Sequence, residues 1–443
     1  MIVAGRVLGL TAVAAGLAVI GFLLPEHTEV ALGLALLVLV VGLTFYDPVA
    51  LPVLAMPALV IILRVGAGGL DLSVSDVALF GALCAAVLLA PRPFSPTMRS
   101  LLWLTVVYQM ATLFTVLANP YLENTVEWFH AWLSTAGALV VGWSVGRAGR
   151  ARVGLTLFLG ACLVIAVLTL MTALQQLAAG YTGPVYLDWP WAMHKNLVGC
   201  VLCFAALVAW ARPSWVGWPR WFAWAAFWAC AAGTVASQAR QALVALAVGV
   251  ILVTLRGDPD RKRSKLILLA AIPAVWAVFL AVAEQLSADN EFNSANQRLT
   301  WFEQSLEVWR TSPWFGVGLR WWSSGRTEYS FQPPNAELEV LSTTGVVGLA
   351  GFVVLFGGTL IVLWRADRRF GTLAVAVVLA KLVQGQFDLF WTAVVVSVPM
   401  AIAGVCVGAE AYARSRDTVG SGSHRREPSV PLGSLDEAGT GRP

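Results

Sequence analysis

Residues Glu284 to Gly348 read EQLSADNEFNSANQRLTWFEQSLEVWRTSPWFGVGLRWWSSGRTEYSFQPPNAELEVLSTTGVVG, and this stretch decides how the rest of the chain is read. On either side the sequence is almost continuously apolar. Here polar and aromatic residues interrupt the pattern. A connection of this length is uncommon in a compact domain and is usually functional when ordered. The stretch is therefore expected to be the catalytic or ligand-handling part of a membrane protein.

The surrounding composition supports the membrane reading. Of 443 residues, 58% are hydrophobic and only 12% are charged, where soluble domains carry about 25% charged residues. A spanning helix needs about 20 apolar residues. Segmentation on that length gives candidate spans that include 7–24, 30–46, 48–64, 76–90, 127–146, 240–255, 266–284, 340–364 and 389–411. The fold class expected is an all-α polytopic integral membrane protein of about 12–14 transmembrane helices. It has one long extracytoplasmic loop containing an amphipathic helix. Residues 1–411 form a single transmembrane domain that includes the loop 285–339, and residues 412–443, rich in Gly, Ser, Pro and mixed charge, form a disordered cytoplasmic tail.

Orientation follows from the basic residues, which stay on the cytoplasmic side near helix ends. With the N-terminus inside, Arg92 and Arg99, the run Arg147–Arg152, Arg212 and Arg220, the run from Arg256, the run from Arg365 and the tail all fall inside. Both termini are then cytoplasmic, and the long stretch lies outside. The first apolar run ends in PEHTE, with no small-x-small cleavage site, and reads as a retained span. The location expected is a bacterial cytoplasmic membrane.

Within the loop, Leu299, Phe302, Leu306 and Trp309 recur at helical spacing, with Arg298, Glu303, Glu307 and Arg310 on other faces. This is an amphipathic helix suited to the outer interface. Pro313 ends it, and Gly316 and Gly318 make a flexible turn. Arg240, Arg298, Arg320 and Arg326 all fall on the outer side, and guanidinium forks match phosphate oxygens. Against that stands ordinary pairing with nearby carboxylates, the better reading for Arg320 and Arg326. Asn335 is placed to cap the following helix. Glu337 and Glu339 lie in its first turn, two apart, on divergent faces. Either could serve as a general base or merely complement the helix dipole.

His194, Lys195 and Asn196 open another helix, and His194 is a lone candidate base. Lys381 and Asp388 form an intramembrane pair or line a cavity. Asp71, Asp76, Glu123, Glu127 and His130 are placed in outer loops without a role. The six cysteines, Cys200-x-x-Cys203 included, sit in apolar runs and read as small buried hydrophobes. No phosphate-binding loop, metal-ligand cluster or Ser-His-Asp order occurs. No cofactor or metal is expected, and no nucleic acid partner.

Several of these pieces, in order, resemble the O-antigen ligase/polymerase superfamily of polytopic membrane glycosyltransferases. They are HKNLVG with Asn196; SQARQALVAL with Ser237 and Arg240; NQRLTWFEQSLEVWRTSPWFGVG with Arg298, Trp301, Pro313, Gly316 and Gly318; and PPNAELEVLSTTGVVG with Asn335, Leu338, Glu339, Gly345 and Gly348. The resemblance implies metal-independent transfer on the outer face. The donor is a glycan on a polyprenyl diphosphate, and a hydroxyl of a glycan or lipid acceptor attacks the anomeric carbon with inversion. Arg240 and Arg298 match the positions that hold the diphosphate, with His194, Asn196, Asn335, Arg320 and Arg326 as further substrate contacts. The chain departs from the family before Asn335: Pro334 stands where a histidine is expected. Glu337 or Glu339 then inherits the proton-accepting role, or another group supplies it. A transporter or flippase for a lipid-linked or polar solute fits the same span count. A non-catalytic partner of such a transferase would fit the missing histidine.

Overall fold

The computed structural model describes residues 42–44, 46–67, 70–89, 93–260, 294–329, 331–391 and 393–423, with a few positions before residue 42. The expected spans 7–24 and 266–284, most of 30–46, the start of the long loop and the tail from residue 424 lie outside the described residues.

The described chain is almost entirely helical. In order, the elements are α1 (Ala50–Ala58), a hairpin of β1 (Arg64–Ala67) and β2 (Leu70–Ser73), α2 (Val74–Leu89), α3 (Pro96–Ala118) and α4 (Leu122–Trp132). A π-helical turn, Leu133–Gly137, joins α4 to α5 (Ala138–Arg147). Then come α6 (Ala151–Ala178), α7 (Lys195–Ala211), α8 (Arg220–Ser237), α9 (Arg240–Arg256), α10 (Ser294–Thr311), α11 (Ala336–Arg365), α12 (Arg368–Gly385) and α13 (Ala393–Ser423).

Four of these helices are long and apolar enough to cross a membrane: α3, α6, α11 and the Val394–Asp417 part of α13. Their burial separates two roles. The apolar window of α13 is 94% buried, whereas those of α3, α6 and α11 are 33%, 44% and 39% buried. Helix α13 is the central post, and the others turn apolar surface outward. Leu88, Trp103, Trp221 and Trp228 are among the large side chains left exposed. Outward apolar surface on this scale is what a lipid-facing wall requires.

The post is held by backbone contact. Gly142 and Gly146 of α5 face Gly404 and Gly408 of α13, each glycine lying against the other helix's main chain. Small residues four apart let membrane helices approach this closely.

Two elements differ from the sequence expectation. The span expected over 48–64 stops at Ala58, and the chain turns into the antiparallel hairpin, with Arg64 paired to Ser73. Pro52 and Pro57 fall within the short helix, which limits its length. The last helix continues to Ser423, past the expected boundary at 411.

Helix α11 is broken. Gly345 has φ 67° and ψ −169°, so the helical ladder is interrupted there. The segment after α10 fills the gap. Val317 N–H donates to the Ser342 carbonyl at 3.3 Å and Gly318 N–H to the Thr343 carbonyl at 2.9 Å. In return Val346 N–H donates to the Pro313 carbonyl at 2.9 Å and Val347 N–H to the Trp314 carbonyl at 3.2 Å. The Pro–Gly–x–Gly run is thus not a flexible turn. It is a hydrogen-bonded insert, and Gly316 and Gly345 are glycine because each lies against the other segment's backbone at positive φ.

Gly345→Ala should therefore lower stability by about 2–3 kcal/mol, through left-handed strain and steric conflict with Trp314. Gly357→Ala, on the same helix with no atom within 4 Å of an added Cβ, should be neutral or slightly stabilising. Thermal unfolding of the two purified variants in detergent compares them; equal losses would contradict the packing account.

Candidate functional site

The described charges sort to two ends of the bundle. At one end, Arg150 pairs with Asp47 at 3.2 Å, and Arg147 donates to Ser415 at 3.0 Å. Arg369 pairs with Asp260 at 3.1 Å, and the Ser214 N–H donates to Asp258 at 3.0 Å. These are the runs expected to share one side. The opposite end collects Arg240, Arg298, Arg320, Glu339 and Asp388, with the N-termini of α7, α9 and α11.

At this second end, the α8–α9 junction places Arg240. Gln238 takes the left-handed conformation (φ 54°) and closes α8, and the Ser237 hydroxyl accepts from the Ala239 N–H at 3.3 Å. Helix α9 restarts at Arg240. His194 caps α7, its Nδ1 accepting from the Asn196 N–H at 3.3 Å, with its ring edge-on to Tyr186. Burial holds the His194 imidazole below its ordinary value; Asp388 acts against that shift and Lys195 with it.

Arg298, early in α10, donates to the Phe387 carbonyl at 3.2 Å. Burial lowers the Arg298 guanidinium from its ordinary value, with Asp388 opposing and Arg240 adding to the shift. Lys195 lies within electrostatic range of both Arg240 and Asp388. Gln241 donates to Asp388 at 3.0 Å. Three cations from three helices thus surround one carboxylate. The N-terminal dipole ends of α7 and α9 add positive potential here.

Beside the cationic patch is a polar cavity of about 280 Å³. The 386–391 connection borders both, giving Phe387 to Arg298, Asp388 to Gln241 and Phe390 to Glu339. Asp76, Glu127, His130, Arg320, Glu339 and Trp391 are among the cavity residues. His130 Nε2 lies 3.1 Å from Asp76 Oδ1, and its Nδ1 lies 3.2 Å from Glu127 Oε1. Both ring nitrogens face carboxylates, so both donate and the ring is an imidazolium. Glu127 Oε2 accepts from Arg320 Nε at 2.8 Å. Asp76 also accepts from the Ser73 N–H at 2.9 Å and the Ser73 hydroxyl at 2.6 Å, which ties the hairpin to the cluster. Two carboxylates and two cations balance one another.

Glu339 is different. It is 3% exposed, lines the cavity and makes no ion pair among the described residues. Its Oε2 accepts from the Phe390 N–H at 2.9 Å. Glu337 points its Oε1 at Gln386 Nε2, 2.8 Å away. Asn335 caps α11 as expected, accepting from the Leu338 N–H at 3.0 Å, and its amide donates to Gln386 at 3.4 Å.

The sequence-read residues thus divide. Arg240, Arg298 and His194 gather near Asp388, and Asn196 lies in the first turn of α7 with its N–H on His194. Glu339 and Arg320 meet in the cavity, where Arg320 is paired with Glu127. Arg326 lies apart, its guanidinium 4.1 Å over the Tyr121 ring. Lys381 sits 4.3 Å over the Phe390 ring rather than on Asp388. Asp76, Glu127 and His130 were expected in outer loops; they lie on α2 and α4 and line the cavity. The available signal was the Glu127-x-x-His130 spacing, which puts both on one helix face, inside a segment where ionisable groups are costly.

A polytopic helical membrane protein with a cationic patch beside a polar cavity is the class these features define. Residues 225–353 match the family model described as O-antigen ligase, so this part of the chain is similar to that family. The match covers Arg240, Arg298, Glu337 and Glu339. The cavity residues Asp76, Glu127 and His130 precede it, and Lys381 and Asp388 follow it. No curated protein matches the chain.

Arg320→Met should cost roughly 1.5–3 kcal/mol, because it leaves the buried Glu127 short of a charged partner. Adding Glu127→Gln should recover part of that loss. Denaturation midpoints of the single and double variants measure the coupling; strictly additive losses would mean that the pair is not coupled.

Proposed function

We propose that the chain is an extracytoplasmic glycan ligase or polymerase that transfers a glycan from a polyprenyl-diphosphate donor to an acceptor hydroxyl. The observation that carries this reading is the gathering of Lys195, Arg240 and Arg298, from three helices, beside a cavity that holds the buried carboxylate Glu339. The positive-inside rule puts this end of the bundle outside, since the opposite end carries the arginine runs.

In this reading the diphosphate lies against Arg240 and Arg298, with Lys195 and the N-termini of α7 and α9 adding positive potential. The sugar reaches into the polar cavity. The acceptor oxygen attacks the anomeric carbon, and its proton passes to Glu339. The bond from the anomeric carbon to the diphosphate oxygen breaks, and the electron pair leaves with the lipid diphosphate. Charge developing on that oxygen is what the guanidinium groups stabilise.

His130 is a poor substitute for the histidine that Pro334 replaces. Both of its nitrogens are committed as donors, so it has no lone pair for a hydroxyl proton. Its part is to hold Asp76 and Glu127 in place. Glu339 is better suited as base than Glu337, because Glu339 lines the cavity and Glu337, whose Oε1 accepts from Gln386, does not.

Arg240→Ala and Arg298→Ala should each reduce glycan assembly at least 100-fold, as loss of a charge-stabilising group at a reacting centre does. Lipid-linked glycan should accumulate at normal protein levels, measured in lipid extracts of cells carrying each variant. Full product in both variants would rule out the diphosphate site. Glu339→Gln should lower turnover about 100-fold or more with donor binding retained, while Glu337→Gln should be far milder. The reverse order would exchange their roles.

A further inference from the structure

Helix α9 begins at Arg240 and ends at Arg256, about 25 Å away at helical rise. Its far end therefore lies in the opposite leaflet region from the candidate site. There a second cavity, of about 670 Å³, opens between the end of α9 and the α11–α12 corner. Ile251, Leu252 and Leu255 form one wall, and Trp364 belongs to the other. Leu255 is 62% exposed and Trp364 56%, so both walls continue into the outward apolar surface.

The mouth of this cavity carries Arg256, Arg365 and Arg368. None of the three is ion-paired among the described residues, although other arginines at this end do find carboxylates. Arg256 is fixed in place. Its Nη2 donates to the Trp364 carbonyl at 2.6 Å and the Ala366 carbonyl at 3.2 Å, and its guanidinium lies 4.4 Å over the Trp364 ring. Its Nη1 is buried with no hydrogen-bond partner. Arg368 is near enough to repel it. A preset guanidinium with an idle donor, beside two like charges, is a site that an anion would complete.

The walls select among anions. A freely soluble anion gains nothing from apolar sides, whereas an acyl chain does. We propose that this cleft binds the phosphodiester headgroup of an anionic phospholipid. The phosphate meets Arg256, Arg365 and Arg368, and the chains run along α9 and Trp364. Basic pockets between membrane helices recognise headgroups by this chemistry. The site is independent of the transfer reaction, and it ties the α11–α12 corner, and through α11 the carrier of Glu339, to the composition of the other leaflet.

The test is thermal unfolding of the purified full chain in detergent, titrated with dioleoyl phosphatidylglycerol, dioleoyl phosphatidylcholine or inorganic phosphate. Phosphatidylglycerol should raise Tm saturably, and the other two should not. The double variant Arg365→Gln/Arg368→Gln alters exposed side chains and should keep the basal Tm. Its phosphatidylglycerol midpoint should be about 30-fold weaker, from two surface cations. Equal stabilisation by phosphatidylcholine, or an unchanged midpoint in the variant, would overturn the proposal. An equal response to inorganic phosphate alone would make this a free-anion site and remove the lipid assignment. If the variant's basal Tm falls, lipid retained by wild type and variant after extraction, read by native mass spectrometry, decides the same question.

Discussion

The arrangement of the site depends on an exchange of four backbone hydrogen bonds. A break in a membrane helix exposes carbonyls and N–H groups that lipid cannot satisfy, and each would be costly to leave unmade. Helix α11 breaks at Gly345, and residues 313–318 supply the missing partners. The exchange fixes two things together. It sets the direction of the first turns of α11, which carry Glu337 and Glu339. It also locks the segment that follows α10, so that Arg320 reaches Glu127.

The α3–α4 corner then reads the same segment. Asn119 donates to the Gly316 carbonyl at 3.1 Å, and Asn124 accepts from the Leu319 N–H at 2.8 Å. A region that looks like a long loop is therefore tied at its middle to α11 and on its flank to α3 and α4. Electrostatics divides the resulting site. On the cavity side Asp76, Glu127, His130 and Arg320 pair with one another, whereas Glu339 makes no ion pair among the described residues. On the α7–α9 side three cations share Asp388. The paired cluster holds shape, and chemistry is proposed at the cationic patch and at Glu339.

Much of the fold was legible. Apolar runs of membrane length became α9 and α11 within a few residues, because in lipid the helix is nearly the only way to satisfy the backbone. Asn335 announced its cap through local chemistry. The hairpin at 64–73 was hidden because its apolar residues look like a continuation of α1. The break at Gly345 was hidden because the residues that repair it are some thirty positions earlier. For the candidate site, Arg240 and Arg298 stood out in the sequence as outer-side guanidiniums and Glu339 as a carboxylate in the first turn of a helix. His130 and Asp76 did not, since they meet only where the start of α2 and the end of α4 come together. No pattern along one segment records a contact 54 residues apart.

The glycine seam between α5 and α13 has a mechanical consequence. Gly142, Gly146, Gly404 and Gly408 bring two main chains together with no side chains between them to slide, flip or repack. Rocking one half of the bundle against the other, as alternating access demands, would have to part main chain from main chain at the most buried of the four long apolar helices described. A scaffold welded in this way suits a workbench rather than a gate.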